Sequence, residues 1–376
     1  MSDSSAGPVE RVLVVGGGIA GLTAASALCQ NEVAVDVVDV SDRAVGTAIG
    51  LQNRGPDALD SIGVLDAVRT TGAAWDRIPV RFFDGAGVMT HDPGWPERED
   101  GKPAYILIYR PRLATILRSR AEATGARVRI GLSVDELTQD ADGVDVRFTD
   151  GTTGRYDLVV GADGIRSRVR SLVFGEHVQP APTGAIALRW VPTGLPRGDA
   201  GFYYGPGSEV VVIPMHDDMT YVAVQHLSDD PLGDHEARQA MREKLEGFTA
   251  PFIRQILGVL DDESNVLAHK YEVLLVDAPW HRGRIVLIGD AAHATTAQLG
   301  SGGIMALEDA VVLAEELKAA GSVAEALDSF GRRRHDRCRL VVETSRELSR
   351  LQAEGASGDE LGRVRGAALK TLNEPF

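Results

Sequence analysis

The residues of this chain whose types and spacing can do chemistry begin with Gly16, Gly18 and Gly21. They set out the pattern G-x-G-x-x-G directly after the apolar run Val12–Val15. Each glycine has its own physical task in such a turn. Gly16 permits the tight bend, Gly18 lets the backbone approach a pyrophosphate, and Gly21 lets helix and strand pack closely. The pyrophosphate then rests on a helix N-terminus, whose free N–H groups and dipole favour anions. Asp39 closes the next apolar run, where a carboxylate accepts hydrogen bonds from a ribose hydroxyl and disfavours a 2′-phosphate. Asp36 is the rival for that task, but it lies short of the strand end. The plainer alternative is a glycine-rich turn that holds no ligand. The pattern by itself suits the AMP half of FAD and of NAD equally.

Two later segments narrow the choice. Val159–Ser167, which contains Gly161-Ala162-Asp163-Gly164, resembles the Asp-Gly motif of class A flavoprotein monooxygenases, the para-hydroxybenzoate hydroxylase family. Ile288–His293, which contains Gly289-Asp290, resembles the Gly-Asp motif of the same family. Tyr109–Leu113 is similar to its Arg-containing helix start, and Gly46–Asn53 to the stretch that follows the ribose acid. The resemblance implies FAD as cofactor. It implies Asp290 on the ribityl hydroxyls, Asp163 tied to flavin and nicotinamide cofactor, and Arg110 reaching toward the flavin. The loop Gly300-Ser301-Gly302-Gly303-Ile304 would set a helix N-terminus against the flavin's pyrimidine edge, where reduced flavin carries negative charge. Each assignment has a plainer alternative: a helix N-cap for Asp290, a turn residue for Asp163, a surface salt bridge for Arg110, and ordinary helix capping for the glycine loop. One position departs from the family. Ala297 stands where many members have a proline whose carbonyl faces the reaction centre, so the carbonyl is kept but the fixed φ is lost.

The implied activity is a monooxygenase of a small electron-rich aromatic or heteroaromatic substrate. In that cycle NADH or NADPH reduces FAD, and O2 then forms a C4a-hydroperoxide that transfers one oxygen atom. There is one dinucleotide motif, so the nicotinamide cofactor would dock transiently. A phenol gains from deprotonation as it is attacked, and histidine titrates in the useful range. His216 and His226 are the candidates, with a structural role as the alternative for each. Arg189, Tyr203, Met215, Gln225 and Ala297 are expected to line the substrate pocket. Tyr221, Ala223 and Gln225 share one face of a strand, and Val222, Val224 and His226 the other. The face without the two valines is expected to look at substrate. A reductase or dehydrogenase of the same fold, or a flavin-binding protein without turnover, remains the alternative. The tryptophans, Trp75, Trp95, Trp190 and Trp280, form no W-x-W-x-I-P halogenase pattern.

The elements that must position these residues read as α/β. We expect a Rossmann-like FAD-binding domain from residues 1–75, 101–180 and 265–340. Residues 76–100 and 181–264 form an inserted, mainly antiparallel β-sheet domain for substrate, and 341–376 a C-terminal helical part. The first ten residues are small and polar and are expected to be disordered. The net charge of −15 argues against nucleic acid or an anionic membrane as partner. The two cysteines, Cys29 and Cys338, lie far apart, so neither a redox pair nor a zinc site is expected. No signal peptide or membrane span is expected, which makes the cytoplasm the default location, with a monomer or homodimer as the assembly.

Overall fold

The computed structural model describes residues 8–42, 46–196, 198–205, 208–228 and 230–376, so most of the small polar N-terminal stretch lies outside the described residues. The strand Arg11–Val15 is buried on both faces at the centre of a six-stranded sheet. Such a strand reads as a continuous apolar run because helices cover both sides. It pairs in parallel with Ala34–Asp39 on one side and Leu158–Gly161 on the other. Ile285–Leu287 extends the sheet beyond Leu158–Gly161, and Arg127–Ile130 extends it beyond Ala34–Asp39. The helices Ile19–Gln30 and Gly302–Ala319 pack together through small residues, and the shared core continues into Val323–Ala353.

The second body is a seven-stranded sheet. Its order is Leu267–Val273, Ala181–Trp190, Thr220–Leu227, Ser208–Pro214, Gly201–Gly205, Arg81–Asp84 and Met89–His91. Every pairing is antiparallel except Gly201–Gly205 with Arg81–Asp84. One face packs on the helices Asp234–Glu246 and Pro251–Gly258 to make a second core. The other face looks back toward the first sheet.

Two element bounds differ from the expected boundaries. Leu267–Val273 belongs to the seven-stranded sheet, paired with Ala181–Trp190, although residues 265–340 were expected with the cofactor domain. The helix Val323–Ala353 runs unbroken through position 341, and Leu348, Leu361, Leu369 and Leu372 join the main core. Strand pairing and helix docking are long-range events, so local spacing does not announce them. Among the described residues, no helix is long and apolar enough to cross a membrane.

Candidate active site

The dinucleotide turn is built by close contact. Gly16 has φ +114°, and its N–H donates to the Val38 carbonyl at 2.7 Å. A Cβ on Gly16 would sit 2.2 Å from the Ala162 carbonyl oxygen, and one on Gly21 would sit 1.9 Å from the Gly16 carbonyl oxygen. Gly18 is different: a Cβ there meets nothing within 4 Å. Gly18 caps the helix Ile19–Gln30 with no side-chain hydrogen bond and with no acid in the first turn. The turn therefore leaves an open cradle at a bare helix N-terminus, which fits a pyrophosphate. Asp39 stands beside it, accepting from Gly17 N at 2.5 Å and Ser41 N at 3.0 Å. Asp36 is committed elsewhere, to Arg11, Arg127 and the Tyr156 hydroxyl. Burial works against its charge, but these partners hold the carboxyl below the usual range.

A cavity of about 540 Å³ opens from this cradle. Gly18, Arg110, Asp290, Gly300, Gly302 and Gly303 line it. Asp290 follows the strand Ile285–Leu287 across Gly289, whose φ is +60°. Gly289, not Asp290, occupies the cap of the short helix that follows. Among the described residues, no side chain or backbone N–H hydrogen-bonds the Asp290 carboxylate. It is accessible from the cavity yet closely surrounded by protein. Burial raises its pKa, His293 and Arg110 oppose that rise, and Asp309 adds to it. An unpartnered carboxylate facing the cradle suits a polyhydroxylated chain. Asp290→Ala is expected to weaken FAD binding by about 1.5–3 kcal/mol, the range for a hydrogen bond to a charged group. Titration of apoprotein with FAD measures it, and an unchanged affinity would show that Asp290 is not a cofactor contact.

Arg110 starts the helix Arg110–Ala123, and its side chain passes over Gly46, where a Cβ would meet its Cδ at 2.7 Å. Burial and then Arg189 lower its pKa, while Asp290 opposes the shift. Asp163 turns out otherwise than the resemblance implied. Its carboxylate accepts from Ser167 Oγ at 2.5 Å, Arg168 N at 2.7 Å and Val169 N at 3.1 Å. It ties down the start of the helix Arg168–Phe174, while its neighbours Ala162, Gly164 and Ile165 line the cavity. The Ile304 side chain is fully buried in the main core and does not line the cavity. Ala297 lines it, but its carbonyl accepts from Gly300 N at 2.9 Å.

The far wall is one face of the seven-stranded sheet, and strand alternation decides its members. Tyr221, Ala223 and Gln225 line the cavity. Ala223 pairs with Arg189 and Val211, and Gln225 pairs with Ala187, which in turn pairs with His269. Arg189, Val211 and His269 share the lining face, and Phe202 and Phe82 continue it across the next strands. Gln225 accepts from Gln298 Nε2 at 2.7 Å. Val222 and Val224 point into the second core. His226 goes with them, and burial, then Lys244, lowers its pKa.

Three expected pocket residues lie off this face. Tyr203 is one position out of phase: it stacks on Phe83 with centroids 4.6 Å apart, and its hydroxyl donates to the Asp199 carbonyl. Met215 is buried in a small cluster with Val80, Tyr105 and Ile213. His216 is exposed in the turn after that strand. Conversely, sequence reasoning passed over His269, Tyr271, Glu209 and Arg365, all of which line the cavity. The alternation in Leu267–Val273 was available as a signal for the first two. Burial, then Arg189 and Arg110, lowers the His269 pKa, so its ring is neutral at neutral pH.

Behind Asp290 lies a fully buried ion network. Asp309 accepts from Gly289 N at 2.9 Å, His293 Nε2 at 2.6 Å and Arg334 Nε at 2.8 Å. Arg334 also donates to Glu308 at 2.7 Å, as does Arg337. His293, Asp309 and Cys338 converge, but the Arg334 guanidinium already supplies the positive charge beside Asp309. The network pins Gly289 and thereby aims Asp290.

The chain is similar to known FAD-dependent proteins. The family described as FAD binding domain matches residues 10–345. The FAD-dependent urate hydroxylase of Klebsiella pneumoniae is 31% identical, over 90% of this chain and 89% of its own. The 3-amino-4-hydroxybenzoate 2-monooxygenase of Streptomyces cremeus is 31% identical, over 90% and 86%. The crystal structure of Klebsiella pneumoniae HpxO with FAD and uric acid superposes with a TM-score of 0.79 at 26% identity, covering 97% of this chain and 93% of that one. A cradle for a pyrophosphate, an unpartnered carboxylate beside it and a family match across most of the chain lead to one conclusion: this chain belongs to the FAD-binding family of class A flavoprotein monooxygenases and is an FAD-dependent oxidoreductase.

Proposed function

We propose that the chain uses NADH or NADPH to place one atom of O2 on a small electron-rich aromatic or heteroaromatic ring. The observation that carries this reading is one continuous cavity, lined both by the cofactor-type groups Gly18, Arg110 and Asp290 and by a sheet face of aromatic and polar side chains. Bound FAD, once reduced, supplies the activation of O2. The protein's own residues supply position, charge and dryness. The helix N-terminus at Gly302 and Gly303 offers N–H groups to negative charge on the reduced ring. Ile49, Ile78, Leu107, Phe202, Val211 and Ile213 line the chamber with apolar surface that excludes water. Gln225, held by Gln298, orients the substrate. His269, neutral beside two guanidinium groups, is placed to accept a proton from a substrate hydroxyl, and Arg189 then faces the resulting anion. The named relatives act on urate and on an aminohydroxybenzoate, both oxygen-bearing rings.

The test is aerobic oxidation of NADH and NADPH by the FAD-loaded protein, across a panel of phenols and N-heteroaromatics under 18O2. Substrate-stimulated oxidation with 18O in the product is expected. Oxidation without oxygen transfer would favour a reductase or dehydrogenase, and no stimulation by any compound would favour a binding protein.

A further inference from the structure

Tyr105 opens the strand Tyr105–Tyr109, and its ring is buried in a small apolar cluster with Val80, Leu107 and Ile213. Trp75 leans against it, with ring centroids 5.8 Å apart. Its hydroxyl has no hydrogen-bond partner among the described residues, yet Tyr105 lines the cavity, and its oxygen is not sealed in protein as the hydroxyl of Tyr204 is. Room for that oxygen comes from the neighbouring strand Ala48–Gln52. Gly50 faces it there, and a Cβ on Gly50 would overlap the hydroxyl. Burial, then Tyr221, pushes the phenol's pKa up, so it keeps its proton and can only donate or accept as a neutral group. The cations of the chamber act elsewhere: Arg189 acts on Tyr221 and Tyr271, and among the described residues no cation acts on Tyr105. A buried O–H for which the fold leaves room but supplies no partner needs an explanation.

We propose that the Tyr105 hydroxyl is a specificity-determining donor to a neutral acceptor on the substrate, a ketone, ester or ring carbonyl carried by the aromatic ring. A carboxylate is the wrong partner, because a charge buried against Val80, Leu107 and Ile213 finds no counter-ion. An alkyl group of the same shape is wrong as well, because it leaves the O–H unmet in an apolar wall. Gly50 belongs to the subsite, since it keeps open the space that the hydroxyl occupies. This inference rests on the oxygenase reading for the identity of the ligand as substrate, and its test separates the two.

The FAD-loaded protein is titrated with 4-hydroxyacetophenone, with its near-isostere 4-isopropylphenol and with 4-hydroxybenzoate. The pH is one at which the first two keep their phenolic protons, and binding is read from perturbation of the flavin absorbance. That readout needs no turnover, so a protein that binds in the expected pattern but never couples NAD(P)H oxidation to oxygen transfer upholds the subsite and overturns the oxygenase reading. The acetyl compound is expected to bind about fivefold more tightly than the isopropyl compound, the effect of one hydrogen bond between neutral groups. Tyr105→Phe should weaken binding of the acetyl compound about fivefold, with binding of the isopropyl compound and of FAD retained. Gly50→Ala, which pushes the hydroxyl aside, should reduce the preference as well. Equal binding of the acetyl and isopropyl compounds by the unaltered protein overturns the proposal. So does a preference that survives in Tyr105→Phe, tighter binding of 4-hydroxybenzoate than of the acetyl compound, or failure of the acetyl compound to bind at all.

Discussion

Replacing Arg334 by leucine is expected to lower the unfolding free energy by about 3–5 kcal/mol, the usual effect of removing one partner from a buried ion pair. Arg334 is fully buried and bonds both Asp309 and Glu308, which are also fully buried. Its loss leaves Glu308 with Arg337 alone, and Asp309 with His293, the Gly289 N–H and the Cys338 thiol. Leucine fills part of the volume but cannot offset either carboxylate. Urea unfolding of the FAD-loaded protein measures the effect, and a loss under about 1 kcal/mol, the range of an ordinary surface change, would show that the network relaxes around the gap. The pH dependence follows the same groups. Burial alone would raise the Asp309 pKa, but His293 and Arg334 hold it well below its ordinary value. Its contribution is present above the unfolded carboxylate value and is lost as pH falls through the depressed folded one. His293 is the opposite case: burial would lower its pKa, yet Cys338 and Asp309 keep it raised. Its contribution is complete below the unfolded imidazole value and is lost as pH rises through the elevated folded one.

Alanine at Gly16 and alanine at Gly18 are expected to fail in different ways. Gly16→Ala combines a left-handed φ with a Cβ 2.2 Å from a backbone oxygen, which nothing flexible can relieve. A loss of about 2–4 kcal/mol in stability follows from backbone strain plus overpacking. Gly18→Ala finds open space and a negative φ, so the protein without FAD should keep its stability to within about 0.5 kcal/mol. The same methyl group then occupies the cradle, and FAD binding should weaken by about 1–3 kcal/mol. Thermal unfolding with and without FAD, beside a cofactor titration, distinguishes the two. A Gly18→Ala protein that binds FAD unchanged would show that the open space is not the pyrophosphate cradle.

What the sequence made legible follows the range of the interactions. The turn at Gly16–Gly21 and the carboxylate of Asp39 lie within one strand–helix–strand unit, so spacing alone locates them. Of the two acids, Asp39 stands at the strand end beside the turn, whereas Asp36 is tied to Arg11, Arg127 and Tyr156. Asp163 shows the limit. Its neighbours line the cavity, but its oxygens are taken by Ser167, Arg168 and Val169, a local competition that a motif does not reveal. Tyr203 was misplaced because alternation says which residues share a face and not which face is inward. Phe202 took the inward position through its pairing with Phe82 and Val211. His269 and Arg365 were missed for a different reason. Alternation within Leu267–Val273 groups His269 with Tyr271, but that strand's place in the sheet depends on its long-range pairing with Ala181–Trp190, and Arg365 reaches the cavity only through the docking of Gly358–Thr371.

On the strand Thr220–Leu227 the residues Tyr221, Ala223 and Gln225 meet the cavity, whereas Val222 and Val224 are buried among the residues packed on Asp234–Glu246, although Val224 also reaches the cavity wall. Substitutions on one strand therefore fall into two kinds. Those at Tyr221, Ala223 and Gln225 would reshape the chamber while leaving the second core untouched, whereas those at Val222 and Val224 would act first on packing and stability. A chamber wall of this build can be altered one side chain at a time without dismantling the sheet that carries it.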